Sequence, residues 1–198
     1  MSKIIGSIGL GAMGGEYAKH LLENNFKVFG IDPDKKNSSS FTLYGGILLN
    51  NINDLLEKSN VIILSLPTVP IFHNVINEIE NCNYFTDPKI IIDMNTISLE
   101  DKLDAKNKLE KLNIFFIDAP VSGTGAQAKT KDLVVMSSGS EKIIDDCKDI
   151  FDSFARKNIF VGEFGNGIKF KILANLLVTV HNTVTAEALL LGQKVGLD

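Results

Sequence analysis

A glycine-rich turn between a short apolar run and an amphipathic run is the feature that most constrains how this chain folds. Gly9, Gly11 and Gly14 give the spacing G-x-G-x-x-G, after the apolar run 3–9 and at the start of the amphipathic run 13–25. In a strand–turn–helix unit the first glycine allows the tight turn, the second lets the backbone approach a pyrophosphate, and the third lets helix and strand pack closely. The helix N-terminus then faces the anion. The spacing therefore predicts a dinucleotide phosphate site formed by Gly9, Leu10, Gly11, Ala12, Met13 and Gly14.

The second apolar run ends in an acidic residue that bears on which dinucleotide binds. Asp32 closes the run 27–32. A carboxylate at this place accepts hydrogen bonds from the adenosine ribose hydroxyls and repels a 2′-phosphate. No arginine follows at positions 33 and 34, although Lys35 and Lys36 leave NADP open as the less favoured cofactor. The sequence predicts NAD.

Apolar and amphipathic runs alternate along the first 162 residues. The apolar runs predict strands at 3–9, 27–32, 60–67, 89–95, 114–120, 132–139 and 157–162. The amphipathic runs predict helices at 13–25, 52–59, 68–80, 98–112 and 140–151, while the Lys-, Asn- and Ser-rich residues 34–40 predict a loop. Strands that are apolar throughout indicate a parallel sheet covered on both faces. We therefore predict an α/β fold, a doubly wound Rossmann-type dinucleotide-binding domain over residues 1–163.

The pattern changes after residue 163. Residues 166–196 predict one helix of roughly 30 residues, or about 45 Å, with apolar side chains on more than one face. Such a helix has to be buried on several sides. Residues 164–198 are therefore expected to begin an all-helical second domain, with the helix covered either by further chain or by a partner subunit. A homo-oligomer formed through this helix is expected.

Composition and charge argue against several classes of protein. The formal net charge is −4 at pH 7, which disfavours a nucleic-acid-binding protein. Cys82 and Cys147 lie too far apart to indicate a disulfide framework or a metal site. No apolar run reaches the roughly 18 uninterrupted residues typical of a membrane helix, so no membrane span is predicted. The first residues show no signal-peptide pattern, and a cytoplasmic location is expected.

Further motifs, together with the glycine turn, resemble one family. They are the pair Leu66 and Pro67, Thr96, the stretch DAPVSG at 118–123 and the stretch GNGIKFKILAN at 165–175. Over all 198 residues the chain resembles the β-hydroxyacid dehydrogenase family, whose best-known members oxidise 3-hydroxyisobutyrate. The resemblance implies a Rossmann domain and then an all-helical domain, with the long helix as the link and roughly the last third of the protein beyond residue 198. It also implies that Leu66, Pro67 and Thr96 contact the cofactor.

The family's motif G-x-G-x-x-x-K-x-x-x-N falls on Gly165, Gly167, Lys171 and Asn175. The resemblance implies that Lys171 is the general acid and base and that Asn175 binds the substrate. The helical spacing agrees, because Lys171 and Asn175 are four residues apart and share a face. Lys169 points about 200° away from Lys171 and is predicted to be a solvated charge.

The DAPVSG stretch is the expected substrate site. Ser122 and the backbone N–H groups around Gly123 and Thr124 are predicted to form a nest for the substrate carboxylate. Thr124 stands where the family often has a second glycine, which changes the shape or polarity of the pocket.

Ala174 precedes Asn175, whereas the related 6-phosphogluconate enzymes have a histidine there, so 6-phosphogluconate is disfavoured as the substrate. Imine-reducing relatives replace the catalytic lysine, and Lys171 argues against them.

The sequence thus predicts an NAD-dependent dehydrogenase that transfers a hydride between a small 3-hydroxy acid and the nicotinamide. No metal is expected to take part. Two alternatives stay open, a non-catalytic NAD-binding module and a reductase of tartronate semialdehyde or succinic semialdehyde that uses NADP. The predicted partner is a small hydroxy acid, with neither nucleic acid nor membrane involved.

Overall fold

The computed structural model of the chain describes residues 3–82 and 89–197. A six-stranded parallel sheet forms the centre, with the strand order β3-β2-β1-β4-β5-β6. Its strands are β1 (Ile4–Ile8), β2 (Lys27–Ile31), β3 (Ile47–Leu48), β4 (Val61–Leu64), β5 (Lys89–Asp93) and β6 (Ile114–Asp118). The order reverses between β1 and β4, and ligands bind at such a switch point in open α/β sheets.

Helices cover both faces of this sheet, as the apolar strands predicted. They are α1 (Gly14–Glu23), α2 (Lys35–Leu43), α3 (Ile52–Lys58), α4 (Val69–Glu80), α5 (Leu99–Glu110), α6 (Gly125–Lys129), α7 (Glu141–Asp146) and α8 (Lys148–Phe154). Ile62 and Ile63, neighbours on β4, are fully buried in two separate apolar clusters. Each such side chain contributes about 1.5–3 kcal/mol by its burial. The doubly wound Rossmann-type fold is confirmed.

The last three strands form a sheet of their own, which the sequence did not predict. They are β7 (Val121–Ser122), β8 (Val134–Ser137) and β9 (Lys157–Phe160), with β7 antiparallel and β9 parallel to β8. Pro120 separates β6 from β7, and a proline cannot donate to a strand ladder. The chain turns there, and an isolated antiparallel bridge between Asp118 and Ser138 connects the two sheets.

The prediction of a loop at residues 34–40 was wrong, because most of this stretch belongs to α2. The side chain of Asp34 caps the helix by accepting hydrogen bonds from the N–H groups of Lys36 (2.8 Å) and Asn37 (3.0 Å). Phe41 anchors it in the core with 3% of its surface exposed. The cap and one aromatic anchor thus outweigh the low helix propensity of Ser and Asn. The helix predicted at 140–151 is likewise divided, into α7 and α8, at Cys147.

The long helix is present as α9 (Asn166–Lys194), with 29 residues. Gly167 and Ile168 in its first turn are buried, whereas large apolar side chains further along are exposed. By length and composition alone α9 could cross a membrane, and none of its most apolar window is buried. The mean hydropathy of α9 is high although Asn175, His181 and Asn182 interrupt its apolar run, and it is this interruption on which the sequence prediction of no membrane span depended.

Candidate active site at the carboxyl edge of the sheet

The glycine turn between β1 and α1 is shaped by close approaches of the backbone. A Cβ atom on Gly9 would lie 2.1 Å from the carbonyl oxygen of Ser65, and φ of Gly9 is +91°. A Cβ on Gly14 would lie 2.1 Å from the carbonyl oxygen of Gly9. At Gly11 the nearest atom would be Asn37 Nδ2, 4.0 Å away. The chain's own packing thus requires glycine at the first and third positions, while the second faces open space where a phosphate could approach.

A cleft of about 610 Å³ opens beside this turn at the strand-order switch. It contains seven of the residues predicted to bind the cofactor, namely Gly9, Gly11, Ala12, Met13, Asp32, Leu66 and Pro67. The other three lie outside the lining. Leu10 turns its side chain into the core, Gly14 is buried at the start of α1, and Thr96 is exposed in the loop after β5.

Asp32 is fixed at the cleft wall by three N–H donors. Its Oδ2 accepts from the N–H of Leu10 at 2.6 Å and from Asn37 Nδ2 at 3.3 Å. Its Oδ1 accepts from the N–H of Asp34 at 2.8 Å. A carboxylate has about four acceptor sites, so one stays available to a ribose hydroxyl. Asp32 therefore both braces the phosphate turn and presents a negative charge to the cleft.

The charged side chains that line the cleft are acidic. They belong to Asp32, Asp34 and Glu78, and no lysine or arginine lines the cleft in the described parts of the chain. Lys35 and Lys36, which left NADP open at the level of sequence, are exposed and outside the lining. A third phosphate group would meet like charges here without a counter-charge.

The wall of the cleft opposite Asp32 follows β4, and a buried asparagine fixes its backbone by a hydrogen bond. Asn95 Oδ1 accepts a hydrogen bond from the N–H of Leu66 at 2.6 Å, and Asn95 Nδ2 donates to Asp93 Oδ1 at 2.6 Å. Asn95 is 5% exposed and Asp93 is fully buried. The position of Leu66 and Pro67 in the cleft thus depends on a buried polar group at the end of β5.

Lys171 lies on the face of α9 that turns toward the DAPVSG stretch. Gly167 marks this face, because a Cβ there would lie 2.5 Å from the carbonyl oxygen of Met136 and 3.0 Å from Pro120 Cδ. Lys171 and Asn175 follow at steps of four residues, each about 40° further around the helix. Lys171 is half-buried and Asn175 is exposed. Lys169, on the other side, is exposed and donates to Asn166 Oδ1 at 3.3 Å.

Burial lowers the pKa of the Lys171 amine below that of an ordinary lysine. Desolvation disfavours the charged ammonium, and no hydrogen bond or ion pair to the amine offsets it within residues 3–82 and 89–197. A lysine of this kind exchanges a proton at a lower pH than a solvated one does. Lys171 can therefore act as a base, whereas Lys169 has the setting of a surface charge.

The predicted substrate loop is partly as expected. Ser122 is exposed at the end of β7. Gly123 has φ +137°, and a Cβ atom on it would lie 2.4 Å from Leu133 Cδ2. Thr124 caps α6, and its N–H donates to Gln127 Oε1 at 3.0 Å. This N–H group was predicted to bind the substrate carboxylate, but here it belongs to a capping box. Ser122 and Gly123 are the members of the predicted nest that this cap does not engage.

A buried ion-pair network at the ends of β5 and β6 escaped the sequence analysis. Lys102 Nζ lies 2.5 Å from Asp93 Oδ2 and 2.8 Å from Asp118 Oδ1, and all three side chains are fully buried. Burial alone would lower the pKa of Lys102, but the two carboxylates outweigh it and raise the pKa. Burial raises the pKa of Asp93 despite the nearby ammonium. The available signal was that Asp93 and Asp118 each end an apolar strand.

No group of three or more His, Cys, Asp or Glu side chains suited to a metal ion occurs among the residues that the structure describes. The polar groups at this edge of the sheet serve hydrogen bonding and ion pairing instead. The cleft, the half-buried amine and the DAPVSG stretch together form the candidate active site.

Comparison with known proteins gives consistent matches. Residues 4–162 match the family described as the NAD binding domain of 6-phosphogluconate dehydrogenase. The 2-(hydroxymethyl)glutarate dehydrogenase of Eubacterium barkeri is 32% identical over 197 residues, which are 98% of this chain and 64% of that protein. The mitochondrial 3-hydroxyisobutyrate dehydrogenase of Homo sapiens is 29% identical over 198 residues, which are 98% of this chain and 58% of that protein. The chain therefore spans about three fifths of the length of these curated relatives.

Solved structures agree in fold. The Mycobacterium tuberculosis 3-hydroxyisobutyrate dehydrogenase with L-serine is 27% identical, with a TM-score of 0.93, and the match covers 100% of this chain and 67% of that chain. The Myxococcus stipitatus imine reductase variant in complex with NAD+ has a TM-score of 0.88 at 16% identity, covering 100% of this chain and 68% of that chain, which shows a shared fold alone. Because both matches cover the whole chain, α9 has a counterpart in each of these structures.

Proposed function

This chain belongs to the family that shares the NAD-binding domain of 6-phosphogluconate dehydrogenase, and we propose that it is the nucleotide-binding part of an NAD-dependent 3-hydroxyacid dehydrogenase. The observation that carries the proposal is the half-buried Lys171 amine on the face of α9 that packs against the DAPVSG stretch. The dehydrogenases among the relatives, at 29–32% identity, support the same reaction class.

The residues of the cleft fit an NAD molecule. The turn at Gly11 leaves room for a pyrophosphate at the N-terminus of α1, and Asp32 offers a carboxylate oxygen to the ribose. Leu66 and Pro67 form the apolar wall on the other side. When bound, the nicotinamide supplies the acceptor for a hydride and, as NADH, its donor.

Lys171 is the general base and general acid for the proton that is transferred together with this hydride. In the oxidation direction its neutral amine takes the proton from the substrate hydroxyl, and in the reduction direction its ammonium returns a proton to the carbonyl oxygen. The lowered pKa of Lys171 enlarges the neutral fraction at a given pH. We assign Asn175, one turn further along the same face, to orient the same hydroxyl by a hydrogen bond.

The substrate that we propose is a small 3-hydroxy acid of the 3-hydroxyisobutyrate kind. Ser122 and the N–H of Gly123 are the groups that we assign to its carboxylate. Thr124 acts on the pocket through its side chain and the capping box rather than through its N–H. The three acidic side chains of the cleft favour NAD over NADP.

The second candidate function is reduction of a semialdehyde with NADPH as the hydride donor. It is favoured by the 25% identity to a glyoxylate/succinic semialdehyde reductase of Arabidopsis thaliana. The acidic lining of the cleft speaks against NADP, so this function ranks second.

A substrate screen of the full-length protein tests the proposal. Small 3-hydroxy acids are offered with NAD and with NADP, and tartronate and succinic semialdehydes with NADH and NADPH. We expect the highest kcat/KM with a 3-hydroxy acid and NAD. Tight NAD binding without turnover of any substrate would instead indicate a binding module, and a preference for NADPH and a semialdehyde would indicate the second candidate.

A further inference from the structure

The first turn of α9 does not cap itself. Its N-cap residue, Gly165, has a left-handed conformation with φ +89° and no side chain to accept from the free N–H groups. Two side-chain hydrogen-bond acceptors, which belong to residues of the two sheets, take the place of an N-cap side chain. Ser138 Oγ accepts from the N–H of Gly167 at 3.0 Å, and Asp118 Oδ2 accepts from the N–H of Ile168 at 2.9 Å.

We infer that Asp118, together with Ser138 and Lys102, is a positioning unit that sets where Lys171 stands relative to the cofactor cleft. The inference rests on the proposed function, since it assigns a role toward the proposed base. Ile168 is three residues before Lys171, a rise of about 4.5 Å along the helix. Asp118 therefore fixes the backbone less than one turn from the amine.

The charges of the network are consistent with this role. Asp93 and Asp118 bring two carboxyl groups to the single ammonium group of Lys102, and all three side chains are fully buried. An uncompensated buried charge is strongly destabilising. The N-terminus of a helix carries roughly half a positive charge, and Asp118 points its Oδ2 at that of α9. The helix start thus compensates part of the negative charge of Asp118, and the carboxylate in turn holds the helix start.

Ser138 completes the contact between the carboxylate and the helix. Its hydroxyl donates to Asp118 Oδ2 at 3.0 Å while accepting from Gly167. Ser138 is thus bonded both to the N–H of Gly167 and to the carboxylate oxygen that accepts from the N–H of Ile168. Loss of the hydroxyl would remove one acceptor without changing the charge of the network.

The other end of the network reaches the cofactor cleft. Asp93 pairs with Asp118 across β5 and β6 and shares Lys102 with it. Through Asn95, Asp93 is linked to the N–H of Leu66 in the cleft wall. A continuous set of hydrogen bonds and ion pairs therefore joins Leu66 to Ile168. The buried network therefore fixes both the cleft wall at Leu66 and the start of α9, the helix that carries the proposed base.

Asp118→Asn in the full-length protein tests the inference, with Asp149→Asn as the control. Asp149 is also ion-paired, to Lys3, but on the exposed surface. For Asp118→Asn we expect amide hydrogen exchange at Gly167 and Ile168 to accelerate by about tenfold, with β4 amides unchanged. We also expect the pKa of Lys171, followed by NMR of the labelled amine, to rise toward that of an ordinary lysine. Asp149→Asn should change neither.

Turnover supplies the second readout. Asp118→Asn should lower kcat by about 10- to 100-fold and enlarge the deuterium isotope effect on hydride transfer, while the Kd for NAD stays within about twofold. Ser138→Ala should act in the same direction with a smaller amplitude, and it provides the test if Asp118→Asn does not fold. A merely structural role would reduce the folded fraction without altering the isotope effect or the titration of Lys171.

Different results would contradict the positioning role of Asp118 and the proposed dehydrogenase function. Folded Asp118→Asn and Ser138→Ala variants with wild-type exchange at Gly167 and Ile168, and an unshifted Lys171 titration, would overturn the positioning role even if the enzyme is active. A wild-type protein without turnover, whose exchange and titration nevertheless respond as expected, would contradict the proposed function and leave the anchoring of α9 established.

Discussion

Gly167 and Lys171 lie four residues apart on one face of α9, and Gly167 brings that face against the carbonyl oxygen of Met136, where a Cβ would be 2.5 Å away. The same Cβ would lie 2.9 Å from Asp118 Oδ2. Both neighbours are held in place, one by the β8 backbone and one by the ion-pair network. The close approach of the helix therefore depends on the missing side chain of Gly167, and the place of Lys171 depends on that approach.

Gly167→Ala should destabilise the chain by about 1–3 kcal/mol, the usual effect of forcing a methyl group into a packed contact. Gly192→Ala is the matched control on the same helix, because its Cβ would meet only Leu197 Cβ at 4.0 Å. That substitution should be stabilising by about 0.5–1 kcal/mol, since alanine is the better helix former. Urea unfolding of both variants measures the difference, and equal effects would mean that the contact at Gly167 is not tight.

Asp32→Asn should weaken the preference for NAD. The neutral amide no longer repels a 2′-phosphate, and it also loses at least one of the three N–H donors that now bind the carboxylate. We expect the ratio of kcat/KM for NAD over NADP to fall by about tenfold, in keeping with the loss of one charged contact. Glu78→Gln removes the same charge from the same cleft and should change the ratio much less. A wild-type enzyme that already prefers NADP would contradict this account of Asp32.

The rate of oxidation should rise with pH because the proposed base works as the neutral amine. Burial places the pKa of Lys171 below that of an ordinary lysine, about 10.4. The kcat/KM for oxidation is therefore expected to increase with pH through this pKa and to reach half of its plateau below about pH 10.4. The kcat/KM for reduction, which needs the ammonium, should fall over the same range. Initial rates measured across pH in both directions give the two kcat/KM profiles. If both profiles changed in the same direction with pH, Lys171 would be excluded as the group that titrates.

The apolar surface of α9 should drive self-association of the 198-residue chain. Leu176, Leu177, Leu189 and Leu190 are 54–67% exposed, and exposed apolar areas of this kind mark interfaces. Leu177→Glu should weaken the association, whereas Gln193→Glu adds the same charge at a polar exposed position of the same helix and should not. Sedimentation velocity at tens of micromolar gives the answer. A clean wild-type monomer would show that this surface does not pair.

Much of the fold was predictable because apolar runs and the glycine turn are local signals. The runs that became β1, β4 and β6 needed only their own residues to be identified as buried strands. Helix α2 was missed because its stability comes from a cap by Asp34 and the packing of Phe41, while the intervening residues have low propensity. The second sheet was missed because its pairing joins residues far apart in sequence, such as Val121 and Val135.

The candidate site, too, has residues that could be predicted from local motifs and residues that could not. Gly11, Asp32 and Lys171 belong to motifs with fixed spacing, and the structure places the first two in the cleft and the third on the face expected from its helical position. The buried network depends instead on the register that pairs Asp93 with Asp118. Two carboxylates at such a place require a cation, but residues 98–112 contain four lysines, and only the packing of α5 decides that Lys102 is the one that reaches them.

Turnover by Lys171→Ala and Lys169→Ala in the full-length protein is the most direct test of the central claim. The two lysines differ by two positions in sequence but lie on opposite sides of α9, one half-buried and one exposed. Lys171→Ala should lower kcat by about 100-fold or more, as expected for loss of a general acid and base, while Lys169→Ala stays close to the wild type. Equal losses in the two variants, or full activity of Lys171→Ala, would contradict the assignment of Lys171 as the catalytic base.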